Sequence, residues 1–167
     1  MMTNELTPFT KKKDQFTIST DKHKLDLDVI QGYLYRSYWK AGVPKDHTAK
    51  SLEHALCFGL YDGQNQIGFA RVITDYLDFA YICDVFVLKT YQGQGLGGWM
   101  LEAILDYLST HGVRSLTLAT SDAHEFYRKY GFQELDNPDS QMLKVITDRV
   151  WYNPKLIANP PQKRPKR

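Results

Sequence analysis

A glycine-rich turn between an apolar run and a helical pattern constrains the fold of this chain most. Residues 85–88 (Val-Phe-Val-Leu) are typical of a buried strand, and the turn at 92–98 begins four residues after that run ends. From 96 to 108, apolar residues recur at helical spacing. A strand that enters a helix through such a turn leaves backbone N–H groups free, and the helix dipole favours an anion beside them. The sequence therefore predicts a phosphate-binding turn.

Length and charge limit the classes of protein to consider. A chain of 167 residues predicts one domain with a substantial core. Five of the 21 basic residues lie from Lys155 onward and none of the 19 acidic residues does, which leaves 16 basic against 19 acidic residues before that point. The body of the protein is thus mildly acidic, and we expect no nucleic-acid partner. No run is long and apolar enough to predict a membrane span or a leader, so we expect a cytoplasmic protein.

The two cysteines indicate neither a disulfide framework nor a metal site. Cys57 and Cys83 both lie in apolar runs that are typical of buried strands, where reduced thiols are common. Their spacing matches no zinc motif, and we expect no metal.

Hydrophobic periodicity and turn residues predict a mixed α/β domain at 16–146. An N-terminal extension at 1–15 precedes it, and a Pro/Lys/Arg-rich tail at 147–167 follows. We expect the tail to be poorly ordered from Pro154 on. The predicted elements, in chain order, are a strand at 16–20, helices at 25–39 and 46–56, a hairpin of strands at 57–61 and 66–74 with Asp62-Gly63 as its turn, a strand at 79–88, the helix at 96–108, a strand at 114–120, a helix at 122–129, and closing strands at 132–135 and 142–146. Such an order predicts a mixed sheet with helices on both faces.

Two familiar phosphate motifs do not account for the glycines. Gly93-x-Gly95-x-x-Gly98 matches the dinucleotide fingerprint, but a dinucleotide turn follows its strand at once and has an acidic residue about twenty positions later. Here four residues intervene, and residues 114–118 contain no Asp or Glu. A P-loop is excluded because no Gly-Lys-Ser/Thr follows.

A third motif matches better. Gln92-x-x-Gly95-x-Gly97 resembles the acyl-CoA pyrophosphate loop of the GNAT superfamily of N-acetyltransferases, and residues 123–132 (Ala-His-Glu-Phe-Tyr-Arg-Lys-Tyr-Gly-Phe) resemble its later helix-to-strand element. The resemblance covers residues 16–146. Residues 37–39, 68–71 and 84–87 further resemble a bacterial subgroup whose acceptors are mostly unassigned. It implies the acyl-CoA N-acyltransferase fold, with a mostly antiparallel sheet of six to seven strands and about four helices.

The resemblance also implies acetyl-CoA as cofactor and a set of residues that bind it. In the family, the two central strands splay apart and the pantetheine arm pairs with the exposed strand, while the glycine turn holds the diphosphate. Thr120 stands where the family often has Asn, so its hydroxyl replaces part of that contact. The implied cofactor-binding residues are Val85, Phe86, Val87, Gln92, Gly93, Gln94, Gly95, Leu96, Gly97, Gly98, Thr120 and Tyr127.

Acetyl transfer from a thioester to an amine needs a proton for the departing thiolate. Tyr127 occupies the motif position of a tyrosine that lies beside the cofactor sulfur, and an ordinary tyrosine keeps its proton at neutral pH. Asp84 and His124 are candidate general bases. Asp84 has an equal alternative as a partner of the backbone or of Arg71, and the amine can also enter deprotonated with no base at all.

The acceptor is expected to be a small-molecule amine. By the resemblance, the first two helices and the strand at 68–75 line its pocket, where Tyr38, Trp39, Arg71 and Asp75 are the predicted contacts. Arg71 as a carboxylate clamp favours an amino-acid-like acceptor. Two alternatives stay open, namely an acetyltransferase of protein lysines or N-termini and a non-catalytic acyl-CoA sensor. The sequence also leaves a homodimer open.

Overall fold

One six-stranded sheet organises the molecule. The computed structural model describes residues 7–159, so 1–6 of the predicted extension and 160–167 of the predicted tail lie outside the described residues. The strands are β1 (Thr10–Lys13), β2 (Phe16–Ser19), β3 (Leu56–Asp62), β4 (Asn65–Thr74), β5 (Phe79–Val87) and β6 (Ser115–Thr117). They hydrogen-bond in chain order, antiparallel from β1 to β5, and β6 runs parallel to β5.

Helices cover both faces of this sheet. They are α1 (Leu27–Leu34), α2 (Lys45–Glu53), α3 (Leu96–Thr110) and α4 (His124–Arg128). Side chains alternate along the strands: Phe58 and Ile82 pack in a core with the buried side of α3, whereas Phe69 and Phe86 pack with α1 on the other face. The observed architecture confirms the predicted mixed α/β class with a mostly antiparallel sheet of six strands and four helices.

Several predicted elements are shorter than expected, and three of them show why. The helix predicted at 25–39 ends at Leu34, where the Ser37 hydroxyl donates to the Leu34 carbonyl (2.8 Å) and accepts from the Lys40 amide (3.2 Å). A serine side chain that bonds the backbone in this way competes with helical hydrogen bonds. The strand predicted at 114–120 is reduced to β6, and α4 covers only five of the eight residues predicted at 122–129.

The prediction of two closing strands was wrong, and β1 was not predicted from the sequence. Residues 132–135 and 142–146 hold no regular structure, and the second segment exposes apolar side chains, with Met142 98% and Leu143 90% exposed. An apolar run is a strand only where a neighbouring strand supplies hydrogen bonds. β1 escaped prediction because its sequence, Thr-Lys-Lys-Lys, carries no apolar signal.

The beginning of the predicted tail packs on the body instead of being poorly ordered. A short 3₁₀ turn forms at Pro154–Leu156, and the Asn153 amide donates to the Ala41 carbonyl at 2.9 Å. The Ala158 amide donates to the Arg36 carbonyl at 3.0 Å. Residues 149–158, called the C-terminal strap below, therefore lie along the loop that follows α1.

Candidate active site

The glycine turn presents the N-terminus of α3 without a side-chain cap. Gly93 and Gly95 have φ of +80° and +75°, values that L side chains rarely adopt, and Gly95 is the residue that precedes the helix. Because a glycine at that position offers no side-chain oxygen, the first amides of α3 remain free to bind an anion. Gln92 ties the turn to the preceding strand, since its Nε2 donates to the Val87 carbonyl at 2.8 Å.

The sheet opens beside this turn. Pairing between β5 and β6 ends at Tyr81 and Thr117, so the edge of β5 that faces β6 has no partner strand beyond Tyr81 within residues 7–159. On its other edge β5 carries a bulge, which places two residues opposite one residue of β4. Asp84 lies in that bulge with φ of +55°, an unusual conformation for a residue other than glycine.

A cavity of about 510 Å³ runs from the open edge of β5 to the glycine turn. Ten of the twelve predicted cofactor residues line it, whereas Gln94 and Thr120 do not. Thr120 instead accepts a hydrogen bond from the Ala123 amide (3.1 Å) in the loop before α4. Tyr33, which was not predicted, also lines the cavity and stacks on Phe86 with ring centroids 4.0 Å apart. This cavity is called the cofactor cavity below.

A second cavity of about 430 Å³ meets the first at three residues. Val85, Ala123 and Tyr127 line both, so the two cavities join at the bulge of β5 and the start of α4. The second cavity, called the acceptor pocket below, is also lined by three of the predicted acceptor contacts, Tyr38, Trp39 and Arg71, and by Asp84 and Thr120.

Asp75 is the predicted acceptor residue that the fold places elsewhere. Its Oδ1 accepts from the amides of Leu77 (2.9 Å), Asp78 (3.1 Å) and Phe79 (3.1 Å), and these backbone hydrogen bonds lower the pKa of its carboxyl. Asp75 therefore shapes the turn between β4 and β5 and lies outside the lining of both cavities.

Buried charges gather around Asp84. Its Oδ2 accepts from Lys40 Nζ (2.8 Å) and Arg71 Nε (2.7 Å), and its Oδ1 accepts from Trp39 Nε1 (3.1 Å). Burial alone would raise the pKa of Asp84, but the charges and hydrogen bonds of Lys40 and Arg71 outweigh it and hold that pKa below the ordinary value. These four residues are called the Asp84 cluster below. Their contacts favour the alternative role of Asp84, that of an ion-pair partner of Arg71. A carboxylate that two cations hold ionised is a poor proton acceptor.

Tyr127 lies where the cavities join. Its ring packs edge-on against Phe126 and Phe132, with centroids 5.0 Å and 5.7 Å away. Burial, with smaller contributions from Tyr38 and Asp122, raises the pKa of Tyr127 to about 12. The phenol is therefore protonated throughout the neutral range.

His124 lies on the same helix but outside the acceptor pocket. It lines a third cavity, of about 390 Å³, which also touches Tyr127. Its Nδ1 is buried and has no hydrogen-bond partner among the described residues. Such an unpartnered buried nitrogen in a titratable side chain is uncommon, which makes His124 a candidate for a functional role.

Three charged residues of the acceptor pocket were not predicted. Lys40 is only 8% exposed, and its partner Asp84 is 44 residues away, so no local pattern signals it. Asp122 accepts from the Tyr38 hydroxyl (3.3 Å). Arg149 reaches the pocket from the C-terminal strap, far beyond the motifs.

The remaining chemistry of the site is limited. Cys83 also lines the acceptor pocket, and burial, together with the charge of Asp84, raises the pKa of its thiol to about 11. Among residues 7–159, no three or more side chains of His, Cys, Asp or Glu gather in a way that could hold a metal ion. None of the helices described is long and apolar enough to cross a bilayer.

Known proteins resemble this chain in sequence and in fold. The family model described as an acetyltransferase (GNAT) domain matches residues 53–134, which include the glycine turn and α4. The crystal structure of a protein from Xanthomonas campestris pv. campestris, described as belonging to the GNAT family of acetyltransferases, is 37% identical with a TM-score of 0.75. The match covers 78% of this chain and 93% of that one.

Two curated relatives extend the comparison. A protein from Gibberella zeae described as a candidate acetyltransferase is 29% identical over 155 residues, which cover 80% of this chain and 88% of that protein. The ribosomal protein bS18-alanine N-acetyltransferase of Haemophilus influenzae is 32% identical over 101 residues, which cover 59% of this chain and 66% of that enzyme.

Proposed function

Because this chain belongs to the GNAT family of acyl-CoA-dependent N-acetyltransferases, we propose that it moves an acetyl group from acetyl-CoA to the primary amine of a small molecule such as an amino acid or amine. The observation that carries this proposal is the meeting of two cavities at Val85, Ala123 and Tyr127. One cavity ends at an anion-binding turn and the other is lined by polar and aromatic side chains. Cofactor and acceptor can therefore occupy the protein together and react directly.

The residues of the cofactor cavity fit a long ligand that carries a diphosphate. The free amides at the start of α3 suit the diphosphate, and a Cβ on Gly93 or Gly95 would meet no atom within 4 Å, so the backbone there is open to a ligand. The unpaired edge of β5 suits the amides and carbonyls of the pantetheine arm, in the manner of an added strand. When bound, acetyl-CoA supplies a thioester, which the amine nitrogen attacks as the C–N bond forms and the C–S bond breaks.

Tyr127 is proposed as the acid that protonates the departing thiolate. It lies at the junction of the cavities and holds its proton at neutral pH. Backbone N–H groups of the β5 bulge are proposed to polarise the thioester carbonyl, a contribution typically worth a few kcal/mol in acyl transfer. Cys83 is an unsuitable nucleophile because its thiol stays protonated, which favours direct transfer without an acyl-enzyme.

For the amine proton, His124 is a better candidate than Asp84. The Asp84 carboxylate is already engaged by three donors, so we assign it to holding Lys40, Arg71 and Trp39 in the pocket wall. His124 lies on the helix of Tyr127 and lines a cavity that also touches Tyr127, so it would reach the amine through waters along that cavity and not by direct contact.

The mouth of the acceptor pocket favours a small acceptor. The Tyr38 hydroxyl accepts from the Ser121 amide (3.1 Å) and donates to Asp122 Oδ1 (3.3 Å). These bonds join the loop after α1 to the loop before α4 across the pocket. Together with Trp39 and Tyr81 they make a walled, partly aromatic site, which suits a small amine better than an extended peptide.

Acetylation of a protein N-terminus is the second candidate. The observation in its favour is the 32% identity with the enzyme from Haemophilus influenzae, whose name gives a ribosomal protein alanine as its acceptor. For that function, the bridge made by Tyr38 would have to open to admit a peptide chain.

The proposed function is tested by acetyl-CoA calorimetry followed by thiol release with a panel of amines, amino acids and peptides with free N-termini. We expect binding of acetyl-CoA and release of thiol with at least one small amine. Release with peptides alone would support the second candidate. Binding of acetyl-CoA without release for any acceptor would overturn both and indicate a sensor.

A further inference from the structure

The C-terminal strap forms one wall of the acceptor pocket. Arg149 Nη1 donates to the Trp39 carbonyl at 3.0 Å, and the Tyr152 hydroxyl donates to the Tyr38 carbonyl at 2.7 Å. Both bonds fasten the strap to the two aromatic residues that line the pocket. Arg149 itself lines the pocket as well, so a residue of the strap shares this pocket with Val85 and Tyr127.

Packing shows that the strap fits this place closely. Trp151 packs on the core below α1 and α2, and its ring lies 5.5 Å from that of His47. Gly42 has φ of +87°, and a Cβ there would come within 2.4 Å of the Trp151 carbonyl oxygen. The loop after α1 therefore leaves room for the strap only because residue 42 is glycine.

Some charged side chains of the acceptor pocket have no ion-pair partner among the described residues. Lys40 and Arg71 both pair with Asp84. Arg149 forms no ion pair within the described part of the chain. Its guanidinium lies 5.9 Å from the ring centroid of Trp151, a contact that orients it without neutralising it. Asp122 also lines the pocket, and among residues 7–159 its carboxylate accepts only from the uncharged Tyr38 hydroxyl.

We propose that Arg149 is a specificity-determining residue that recognises a carboxylate on the acceptor, so that the preferred acceptor carries both an amine and a carboxylate. The inference rests on the proposed acetyl transfer to small amines. It revises the expectation for Arg71, which is already ion-paired with Asp84, and moves the carboxylate contact to Arg149, whose bond to the Trp39 carbonyl leaves its charge without a counter-ion in the described part of the chain. A guanidinium suits this role because it can make two parallel hydrogen bonds to a carboxylate. Asp122 then faces the ammonium end of the incoming acceptor.

The test compares Arg149→Gln and Arg149→Lys with the wild type on pairs of acceptors that differ in one charge. Each amino acid is assayed beside its own primary amide, with rates normalised to the concentration of unprotonated amine. We expect kcat/KM of Arg149→Gln for amino acids to fall roughly 10- to 100-fold, mainly through KM, with amides changed less than about threefold. Arg149→Lys should recover part of the loss because it keeps the charge.

Controls separate recognition from folding and from the reaction itself. Arg114→Gln makes the same change at an exposed arginine outside both cavities and should leave both acceptor series unchanged. Acetyl-CoA calorimetry and thermal unfolding show whether Arg149→Gln remains folded. Equal losses for acids and amides, or no preference for the acid in the wild type, would overturn the role of Arg149 alone. Absence of thiol release with every amine would overturn the proposed function.

Discussion

The hydroxyl of Tyr130 lies against Gly98, where a Cβ built on the glycine would be only 2.0 Å from the phenolic oxygen. The contact joins the first turn of α3 to the residues that follow α4, so the glycine turn and the helix of Tyr127 are held together at this point. Tyr130 cannot retreat freely, because its ring also packs on Phe126 with centroids 5.4 Å apart.

Gly98→Ala is therefore expected to destabilise the protein by about 1–3 kcal/mol, the usual cost of overpacking. Gly97→Ala is the matched control, since its Cβ would meet only ordinary contacts at 3.7 Å and 3.9 Å, and alanine is the better helix former by about 0.5–1 kcal/mol. Urea unfolding without ligand measures both. Equal effects of the two substitutions would contradict the steric argument, and Tyr130→Phe in the Gly98→Ala background should recover part of the loss.

Tyr127→Phe is expected to lower kcat roughly 100-fold or more, with acetyl-CoA affinity nearly unchanged, because it removes the proton donor and keeps the ring. The pH dependence has a definite sign. Burial raises the pKa of Tyr127 from 10.0 to about 12, so the protonated form persists above pH 10 and the basic limb of the kcat profile should begin above that value. Steady-state kinetics across pH measure both effects, and unchanged turnover in Tyr127→Phe would remove the phenol from the mechanism.

Asp84→Asn should destabilise the fold by about 3–5 kcal/mol, since it leaves Lys40 and Arg71 beside a neutral amide. Asparagine tolerates positive φ, so the backbone of the bulge is preserved and the charge alone is tested. Asp106→Asn, at an exposed pair with Lys11, is the control and should cost less than about 1 kcal/mol. Similar losses in the free energy of unfolding at both positions would show that the buried ion pairs of Asp84 stabilise the fold no more than an exposed pair does.

Asp84 should also make the free energy of unfolding depend on pH in the acidic range. The pKa of Asp84 in the folded protein lies below its ordinary value of 3.8, so its stabilisation is present above that pH and is lost as the pH falls through the folded pKa. Unfolding midpoints measured from pH 7 down to pH 2 should fall less steeply in Asp84→Asn than in the wild type. Parallel curves would show that Asp84 is not held ionised.

Tyr38→Phe should loosen the mouth of the acceptor pocket. It removes the acceptor of the Ser121 amide and the donor to Asp122, so we expect a several-fold rise in acceptor KM and faster hydrogen exchange at the Ser121 amide. Tyr35→Phe changes an exposed tyrosine outside both cavities and is the control. Unaltered exchange in Tyr38→Phe would mean that the bridge does not hold the two loops together.

Local patterns carried most of the fold. The Asp62-Gly63 turn predicted the β3–β4 hairpin, and helical spacing after the glycine turn predicted α3, because both depend on residues close in sequence. The closing strands failed for the opposite reason, since a strand depends on a partner edge that no local pattern records. The end of α1 was also missed, because the Ser37 hydroxyl bonds the Leu34 carbonyl and the Lys40 amide and so competes with the helix for backbone groups.

In the candidate site, too, residues within local motifs were predicted and residues brought in from distant parts of the chain were not. The glycine turn and Tyr127 belong to contiguous motifs, and the fold places them around one cavity. Lys40 and Arg149 reach the acceptor pocket through contacts between residues far apart in the chain, so their sequence neighbours gave no signal. The prediction for Asp75 failed because an aspartate at the end of a strand can accept hydrogen bonds from the backbone of the following turn just as readily as it can contact a ligand.

The two outer strands of the sheet differ in what they offer to another strand. β1 presents Lys11, Lys12 and Lys13, whose repulsion discourages growth of the sheet on that side. β6 has no lysine, but it is only three residues long and so exposes few unpaired backbone groups to a further strand. Both ends of the sheet are therefore poor templates for growth, one because of its charge and the other because of its length.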